Sequence, residues 1–315
     1  MSNILYIVVP CYNEEEMIPI SSGKLVEKLD QLVKDGLADP KSRVLFVDDG
    51  SKDKTWEIIA RLHEEKPQVC GLKLSRNKGH QNALLAGLMT AKDHCDCTIS
   101  IDADLQDDVN AMDEMMKKFG EGCEIVYGVR SKRKTDTFFK RATAEGFYKI
   151  MKFFGADVVF NHADYRLMGK RALDVLAEYR EVNLFLRGIM PQIGFRTDKV
   201  YYERAERIAG ESKYPLKKML SFAMDGITSF SVRPLKMISS IGIIISFLSV
   251  FGLLYALISK LLGAAVSGWT AIVASIWLLG GIQLLSLGVI GEYIGKMYSE
   301  VKARPKYIVE EFLNH

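Results

Sequence analysis

Cysteine is scarce in this sequence, and its arrangement excludes the usual structural zinc sites. The five cysteines stand at positions 11, 70, 95, 97 and 123. The closest pair, Cys95 and Cys97, is separated by one residue, which is too tight for the usual Cys-x-x-Cys site. The five histidines are scattered and form no cluster. The sequence therefore predicts reduced thiols in a cytosolic setting.

Two glycine-rich phosphate-binding motifs are also missing. No Gly-x-Gly-x-x-Gly follows the first strand-like segment, and no Gly-x-x-x-x-Gly-Lys-Ser/Thr occurs in the chain. Their absence excludes the common dinucleotide fingerprint and the P-loop. A net charge of only +3 on 315 residues gives no indication of a nucleic-acid partner.

Charge is nearly absent from two long stretches near the C-terminus. Residues 235–258 contain one charged side chain, Lys236, and residues 269–291 contain none. Each stretch exceeds the roughly 20 apolar residues that span a bilayer. Buried core helices are the alternative, but the short Gly- and Ser-containing connection between the stretches favours two transmembrane helices.

The charges that flank this pair predict its orientation. The flanking basic residues are Arg233, Lys236, Lys296, Lys302, Arg304 and Lys306. The connection between the stretches holds only Lys260. By the positive-inside rule, both ends and the whole N-terminal domain are expected in the cytoplasm. We see no signal peptide before Ile4 and expect the first strand to begin there.

The rest of the chain alternates between short β-rich segments and longer helical ones. Strands are predicted at Ile4–Val9, Arg43–Val47, Val69–Leu74, Thr98–Ile101 and Ile125–Tyr127. Helices are predicted between them, at Glu14–Lys34, Lys54–Glu65, Gln81–Lys92 and Val109–Phe119. Such alternation predicts an α/β domain with a parallel, doubly wound sheet.

Polar residues follow each of the first four predicted strands, at 10–14, 48–51, 75–79 and 102–104. Open α/β sheets bind ligands at the carboxyl ends of their strands, so these residues are expected to converge on one edge. Ordinary turns are the alternative, and Ser51 or Asp53 would then cap the next helix. Paired acids at two strand ends favour a ligand or a cation.

The segment Asp102-Ala103-Asp104 carries the most specific chemistry. Two carboxylates one residue apart at the end of a strand can both reach one hard divalent cation. Mg²⁺ or Mn²⁺ held in this way stabilises a diphosphate as a leaving group. Alternatively, Asp107 or Asp108 caps the helix predicted to begin near Val109.

Several segments, in a fixed order, resemble the signature blocks of one enzyme family. They are residues 9–15, 47–53, 102–107, 164–168, 207–214, 225–231 and 288–293. These blocks are similar to those of family-2 glycosyltransferases with the GT-A (Rossmann-like) fold. They most resemble polyprenyl-phosphate glycosyltransferases of the bactoprenol glucosyltransferase and dolichol-phosphate mannose synthase type, and they extend over nearly the whole chain.

The resemblance implies inverting transfer of a sugar from a UDP-sugar to undecaprenyl phosphate at the cytoplasmic face of a bacterial membrane. Glucose is the favoured sugar, with N-acetylglucosamine, galactose or an aminoarabinose as alternatives. The lipid-linked product would serve cell-envelope glycan modification. The implied cofactor is Mg²⁺ or Mn²⁺, and the implied partners are membrane lipid, a second copy of the chain, a flippase and a downstream glycosyltransferase.

The resemblance also implies roles for individual residues. The nucleotide sugar would meet Pro10, Tyr12, Asn13, Glu14, Asp49, Asp102, Ala103 and Gln106. The catalytic residues would be Asp104, which shares the metal with Asp102, and Asp164, either as a base or as an orienting group. The acceptor phosphate and diphosphate would meet Arg130, Lys140, Thr143, Arg207, Ser212 and Lys213. His80 receives no role.

The predicted organisation has four parts. Residues 1–214 form the cytoplasmic catalytic domain, including an interfacial helix near 137–154 in which cations alternate with aromatic residues. Residues 215–234 form a juxtamembrane amphipathic helix. Residues 235–295 hold the two transmembrane helices, at about 235–258 and 269–291, and residues 296–315 form a cytoplasmic tail. A core helix with solvated lysines is the alternative for each interfacial segment.

Two other functions share part of this pattern. A processive polysaccharide synthase would need a Gln-x-x-Arg-Trp block and more membrane spans, and the three tryptophans, at positions 56, 269 and 277, do not supply that block. A non-catalytic membrane protein that binds nucleotide sugar would not need the intact Asp-x-Asp.

Overall fold

The computed structural model describes residues 2–131, 162–181, 186–203, 233–261 and 268–315. The described residues up to 203, together with 304–315, belong to one compact unit, and residues 233–261 and 268–303 belong to a second. The interfacial helix predicted near 137–154 and nearly all of the amphipathic helix predicted at 215–234 lie outside the described residues.

The first unit alternates strands with helices. The strands are β1 (Leu5–Cys11), β2 (Arg43–Asp48), β3 (Val69–Leu74), β4 (Cys97–Ser100), β5 (Ile125–Arg130), β6 (His162–Gly169), β7 (Thr197–Tyr202) and β8 (Val309–Leu313). The helices are α1 (Ile18–Lys34), α2 (Thr55–Glu65), α3 (His80–Ala91), α4 (Ala111–Gly120), α5 (Lys170–Glu178) and α6 (Leu186–Ile189). Among the described residues the strands form one sheet in the order β7-β5-β6-β4-β1-β2-β3-β8. The nine elements predicted from the sequence are confirmed to within a few residues.

The sheet is mixed and not wholly parallel as predicted. β1 pairs in parallel with β2 and β4, and β2 pairs in parallel with β3. β6 lies antiparallel between β4 and β5, and β8 runs antiparallel beside β3. The prediction of a parallel sheet is therefore wrong for β6 and β8. Each follows a long intervening segment, and a local alternation pattern does not reveal the direction in which a strand returns.

The centre of the sheet is apolar on both faces because helices cover both sides. Residues Leu5 to Val9 of β1 are all buried, as is Phe46 of β2. Helix α3 packs closely on these strands because Gly87 has no side chain. A Cβ at this position would lie 2.5 Å from Val8 Cγ1 and 2.6 Å from Val47 Cγ2. This contact fixes α3, and with it the loop that precedes the helix, on the sheet.

Strand β8 comes from the segment that the sequence analysis assigned to a tail. Its register places Leu72 opposite Phe312 and Gly71 opposite Leu313, and the Lys73 ammonium lies 2.9 Å from a Glu310 carboxylate oxygen. The run Val-Glu-Glu-Phe-Leu does not alternate between apolar and polar residues, so the period-2 pattern that identifies a half-buried strand is missing.

The second unit contains two long helices, α7 (Arg233–Leu261) and α8 (Trp269–Lys302). Among the described residues, one stretch, Leu278–Lys302, is long and apolar enough to cross a membrane, and Leu235–Ile245 is a shorter apolar stretch. Large side chains are exposed on both helices, including Ile243 at 70% and Leu284 at 72%. The two predicted spans coincide with two helices, and that both cross a membrane stays a prediction.

Replacing Gly50 with alanine is expected to destabilise the first unit. Gly50 has φ +67°, and a Cβ there would lie 2.6 Å from the carbonyl carbon of Arg76. The left-handed backbone costs about 1–2 kcal/mol for a residue with a Cβ, and displacing the Arg76 backbone adds about 1–3 kcal/mol. Thermal unfolding of the detergent-solubilised chain measures the effect.

Gly36→Ala is the matched control. Gly36 has φ +72°, but a Cβ there would have no neighbour within 4 Å. Only the cost of the left-handed backbone applies, so the free energy of unfolding of this variant should fall by about 1–2 kcal/mol. An equal loss of unfolding free energy in the two variants would show that the close approach between Gly50 and Arg76 adds nothing to the cost of a Cβ at position 50.

Candidate active site

The carboxyl ends of β1, β2, β3 and β4 lie at one edge of the sheet because these four strands are parallel. Strand β6 is antiparallel, and its register pairs Arg166 with Ser100 at the end of β4. The N-terminal end of β6 therefore reaches the same edge. The structure in this way brings Asp164 beside the loops that follow the four parallel strands.

The loop after β1 is tied to the loop after β2 by its backbone. Asn13 has φ +53°, its N–H donates to Ser51 Oγ at 2.9 Å, and its side-chain oxygen accepts from the Lys52 N–H at 2.9 Å. The Glu14 N–H donates to Thr55 Oγ1 at 2.9 Å. Tyr12, between this anchored pair and β1, keeps 39% of its side chain exposed. The loop thus presents an aromatic ring on a fixed backbone.

Pro10 lies inside β1, where proline is usually excluded. Its position opposite Val47 is beyond the last β1–β4 pair, Val8 with Ser100, so its missing N–H leaves the ladder with β4 intact.

Asp49 joins the end of β2 to the loop that precedes α3. Its two carboxylate oxygens accept the N–H groups of Lys78 at 2.7 Å and Gly79 at 2.8 Å. Burial raises the pKa of Asp49, and the two backbone donors together with His80 oppose that rise. Both oxygens are engaged within the protein, so Asp49 holds the loop in place. Its predicted contact with the nucleotide stays a prediction.

The segment after β4 alternates between buried apolar residues and acids. Ala103 and Leu105 are buried in the core, and Leu105 has φ +49°. The intervening Asp102 and Asp104 are half-buried, and one Asp104 oxygen accepts the Gln106 N–H at 3.2 Å. The apolar residues therefore anchor the segment and leave the two predicted metal ligands at the edge of the sheet.

Asp107 is held by a buried ion pair. Its Oδ1 accepts Arg130 Nη2 at 3.0 Å, Arg130 Nε at 3.2 Å and the Tyr202 hydroxyl at 2.7 Å. Burial and the adjacent carboxylate raise the pKa of Tyr202, which keeps this phenol a hydrogen-bond donor. Arg130, predicted to meet the acceptor phosphate, thus also fixes the loop that carries Asp102 and Asp104. The Asp107 contacts are tertiary, whereas Asp108, the other residue predicted to cap the helix, accepts the Asn110 N–H at 2.9 Å directly before α4.

His80 lies between two acids of the site. Its Nε2 is 3.6 Å from Asp102 Oδ1 and 3.5 Å from Asp164 Oδ2, while Asp164 Oδ1 accepts Arg166 Nη2 at 2.5 Å. The sequence pattern predicted no role for His80. His80 directly follows the loop at the end of β3, whose residues were expected at the sheet edge. That position could have identified it as a site residue.

Negative charge accumulates around Asp102. Burial raises its pKa, His80 lowers it, and the carboxylates of Asp164, Asp107 and Asp104 raise it further. Among the described residues no group of three or more His, Cys, Asp or Glu side chains converges as a metal-ligand set. The carboxylates around Asp102 make a cation favourable there, and binding of a divalent cation by Asp102 and Asp104 stays a prediction.

Five predicted site residues, Lys140, Thr143, Arg207, Ser212 and Lys213, lie outside the described residues.

Known proteins match this chain along most of its length. YkoT of Bacillus subtilis (strain 168), an uncharacterized glycosyltransferase, is 56% identical over 98% of this chain and 91% of its own. A prophage bactoprenol glucosyl transferase homolog of Escherichia coli (strain K12) is 41% identical over 96% of this chain and 97% of its own. Among solved structures, glucosyl-3-phosphoglycerate synthase from Mycobacterium tuberculosis is 18% identical, with a TM-score of 0.45, over 72% of this chain and 79% of that one.

The family model described as Glycosyl transferase family 2 matches residues 6–176, which include β1 to β6, the Asp102–Asp104 segment and Asp164. The family resemblance found in the sequence is therefore confirmed: the chain belongs to glycosyl transferase family 2.

Proposed function

We propose that this chain transfers a sugar, with glucose favoured, from a UDP-sugar to undecaprenyl phosphate at the cytoplasmic face of a bacterial membrane. The observation that carries the proposal is the placement of Asp102, Asp104 and Asp164 at one sheet edge in a family-2 chain. Support for the acceptor comes from relatives named bactoprenol glucosyl transferase, which are similar over nearly the whole chain.

In this proposal the nucleotide lies along the loops after β1 and β2. Tyr12 offers an exposed ring on which a base can stack. Asn13 and Glu14 hold this loop through their backbone bonds, and Asp49 holds the neighbouring loop at Lys78 and Gly79. Such a preformed surface lowers the ordering cost of binding.

Asp102 and Asp104 would hold the divalent cation. Mg²⁺ is commonly bound by one or two carboxylates, with the remaining ligands from water and substrate phosphates, so this pair is sufficient. When bound, the cation neutralises negative charge that develops on the diphosphate leaving group. Gln106, buried two residues further on, fixes the end of the same segment through its N–H.

The acceptor needs little help to become a nucleophile. A phosphate monoester has a second pKa of about 6, so near neutral pH its oxygen is largely deprotonated. The contacts of Asp164 with Arg166 and His80 hold its carboxylate in a fixed direction. This arrangement favours an orienting role for Asp164 over that of a strong base.

Helices α7 and α8 would anchor the enzyme beside its lipid substrate. Exposed large apolar side chains along both helices, such as Phe247 and Leu285, are typical of a lipid-facing surface. Basic residues at both ends of the pair and a weakly charged connection support cytoplasmic termini.

One assay tests the proposal as a whole. Purified chain in detergent micelles is given UDP-glucose with Mg²⁺ or Mn²⁺, and release of UDP is followed with and without undecaprenyl phosphate. We expect release to require both metal and lipid phosphate, with a glucosyl lipid as the second product. UDP release that does not respond to the lipid would overturn the acceptor assignment. Repeating the assay with other UDP-sugars tests which sugar is transferred.

Asp104→Asn should reduce turnover by about a hundredfold or more, because a carboxylate that binds a catalytic metal becomes a neutral amide. Asp93→Asn is the matched control, since Asp93 is exposed and pairs with Lys92 on the surface. Steady-state kinetics over a range of Mn²⁺ concentrations measure both. Full activity of the Asp104 variant, or of the unmodified chain in EDTA, would contradict the metal assignment.

Lys213→Ala should lower kcat by roughly ten- to a thousandfold, or about 1.4 to 4 kcal/mol, with a smaller change in UDP-sugar affinity. The reason is that the 207–214 segment is proposed to close over the diphosphate as charge builds on the leaving group. If this segment is only a membrane anchor, kcat in detergent will stay unchanged and association with anionic bilayers will weaken.

A cysteine placed at Ser267 should react with an impermeant thiol reagent from outside intact cells, and one placed at Ser2 should not, because both termini are proposed to be cytoplasmic. The background should be low since all five natural cysteines are buried. Labelling at Ser2 but not at Ser267 would reverse the proposed orientation.

A further inference from the structure

A second concave site lies in the first unit, between helix α3, the end of helix α5 and the segment that leads into β8. This cleft has a volume of about 450 Å³, within the usual range for sites that bind small molecules. Two residues of α3 line it, Leu85 and Met89, which lie five and nine positions beyond His80, or about 7.5 and 13 Å along the helix axis. The cleft is therefore separate from the carboxylate site at the sheet edge.

The floor of the cleft is apolar. Leu85 and Met89 of α3 lie opposite Leu176 of α5, and Leu85 and Leu176 are both buried. Residues of this kind favour hydrocarbon over a wholly polar ligand, because a polar ligand would lose its water without gaining hydrogen bonds.

The rim of the cleft is cationic. Arg180, Arg304 and Lys306 line it, and no acidic side chain is among its described lining residues. Arg180 and Arg304 are exposed, and neither makes an ion pair within the described part of the chain. A guanidinium group can bind two phosphate oxygens at once, so this rim favours an anionic phosphate group such as a phosphodiester.

The wall formed by Arg304–Tyr307 is fixed in place. The Lys306 ammonium donates to the Tyr179 carbonyl oxygen at 2.8 Å, at the C-terminal end of α5 where backbone carbonyls lack helical partners. Tyr307 is half-buried, and burial raises the pKa of its phenol. The cationic rim is thus part of a built cleft and not a loose tail.

The position of the rim in the chain indicates the source of the ligand. Arg304 follows Lys302, the last residue of α8, by two residues. Two residues extend at most about 7 Å. If α8 crosses the bilayer, as proposed above, Arg304 lies at the membrane surface, where anionic lipid headgroups attract basic residues.

We propose that this cleft binds one anionic membrane phospholipid, with the phosphodiester at Arg180 and Arg304 and the upper acyl carbons against Leu85, Met89 and Leu176. The proposal rests on the membrane crossing of α8 and does not depend on the transferred sugar or its acceptor. The bound lipid would hold the α3–α5 face of the catalytic unit against the bilayer.

Native mass spectrometry of the full chain in neutral detergent, titrated with phosphatidylglycerol or phosphatidylcholine, tests the proposal. We expect one tight phosphatidylglycerol site, with phosphatidylcholine bound at least tenfold more weakly. Arg180→Gln combined with Arg304→Gln should weaken phosphatidylglycerol binding at least tenfold. Arg61→Gln combined with Arg171→Gln removes the same charge from two exposed arginines outside the cleft and should leave binding unchanged.

A second variant tests the cleft itself while keeping its cations. Ala177 lies exposed at the cleft, and Ala177→Trp would narrow it. We expect the same loss of phosphatidylglycerol binding with an unchanged melting temperature. Three results would each overturn the proposal. They are retained phosphatidylglycerol binding in Ala177→Trp, equal losses of that binding in the two double-arginine variants, and binding of soluble glycerol phosphate as tight as that of phosphatidylglycerol. So would displacement of the lipid by an equimolar amount of undecaprenyl phosphate, which would make the cleft an acceptor site.

Because no sugar donor is present, the binding measurement stays informative if the chain fails to form a lipid-linked sugar. A chain that binds phosphatidylglycerol at this cleft but transfers no sugar would refute the proposed function alone. A chain that transfers sugar normally but shows no selective phosphatidylglycerol site would refute the lipid site alone.

Discussion

Mutual repulsion among carboxylates at one sheet edge is the constraint on which this catalytic unit depends. Parallel strands deliver their ends to the same place, so acids from β2, β4 and β6 are crowded together. Each needs a compensating donor or cation. Asp49 takes two backbone N–H groups, Asp107 takes Arg130 and Tyr202, and Asp164 takes Arg166. The partners of Asp49 and Asp107 come from other segments of the chain, so the bonds that balance their charge also hold the loops together.

The acids at this edge differ in how fully their oxygens are engaged within the protein. Asp49 and Asp107 accept hydrogen bonds from backbone N–H groups, an arginine and a tyrosine. Asp102 and Asp104 stay half-buried at the edge, where burial and then the neighbouring carboxylates raise the pKa of Asp102 and make a cation favourable. His80 joins Asp102 to Asp164, since its ring lies within 3.6 Å of both carboxylates.

The sequence predicted the parts of this protein that depend on local pattern. Strands β1 to β5 and helices α1 to α4 follow from apolar runs and turn residues, and the convergence of the strand ends follows from parallel pairing. Three features were missed because each depends on contacts between distant residues. The direction of β6 is set by its pairing across the sheet. Strand β8 pairs with a strand that lies over 230 residues earlier in the chain. The contacts of Asp107 and His80 form only when the loops come together.

The pairing of β8 with β3 also has a consequence for how the chain folds during synthesis. The ribosome makes β3 early, but its outer edge has no partner until residues 309–313 emerge, after both long helices. During that interval β3 is an open edge strand, which other extended chains can pair with. The pairing of β8 with β3 can therefore occur only after both long helices have been synthesised.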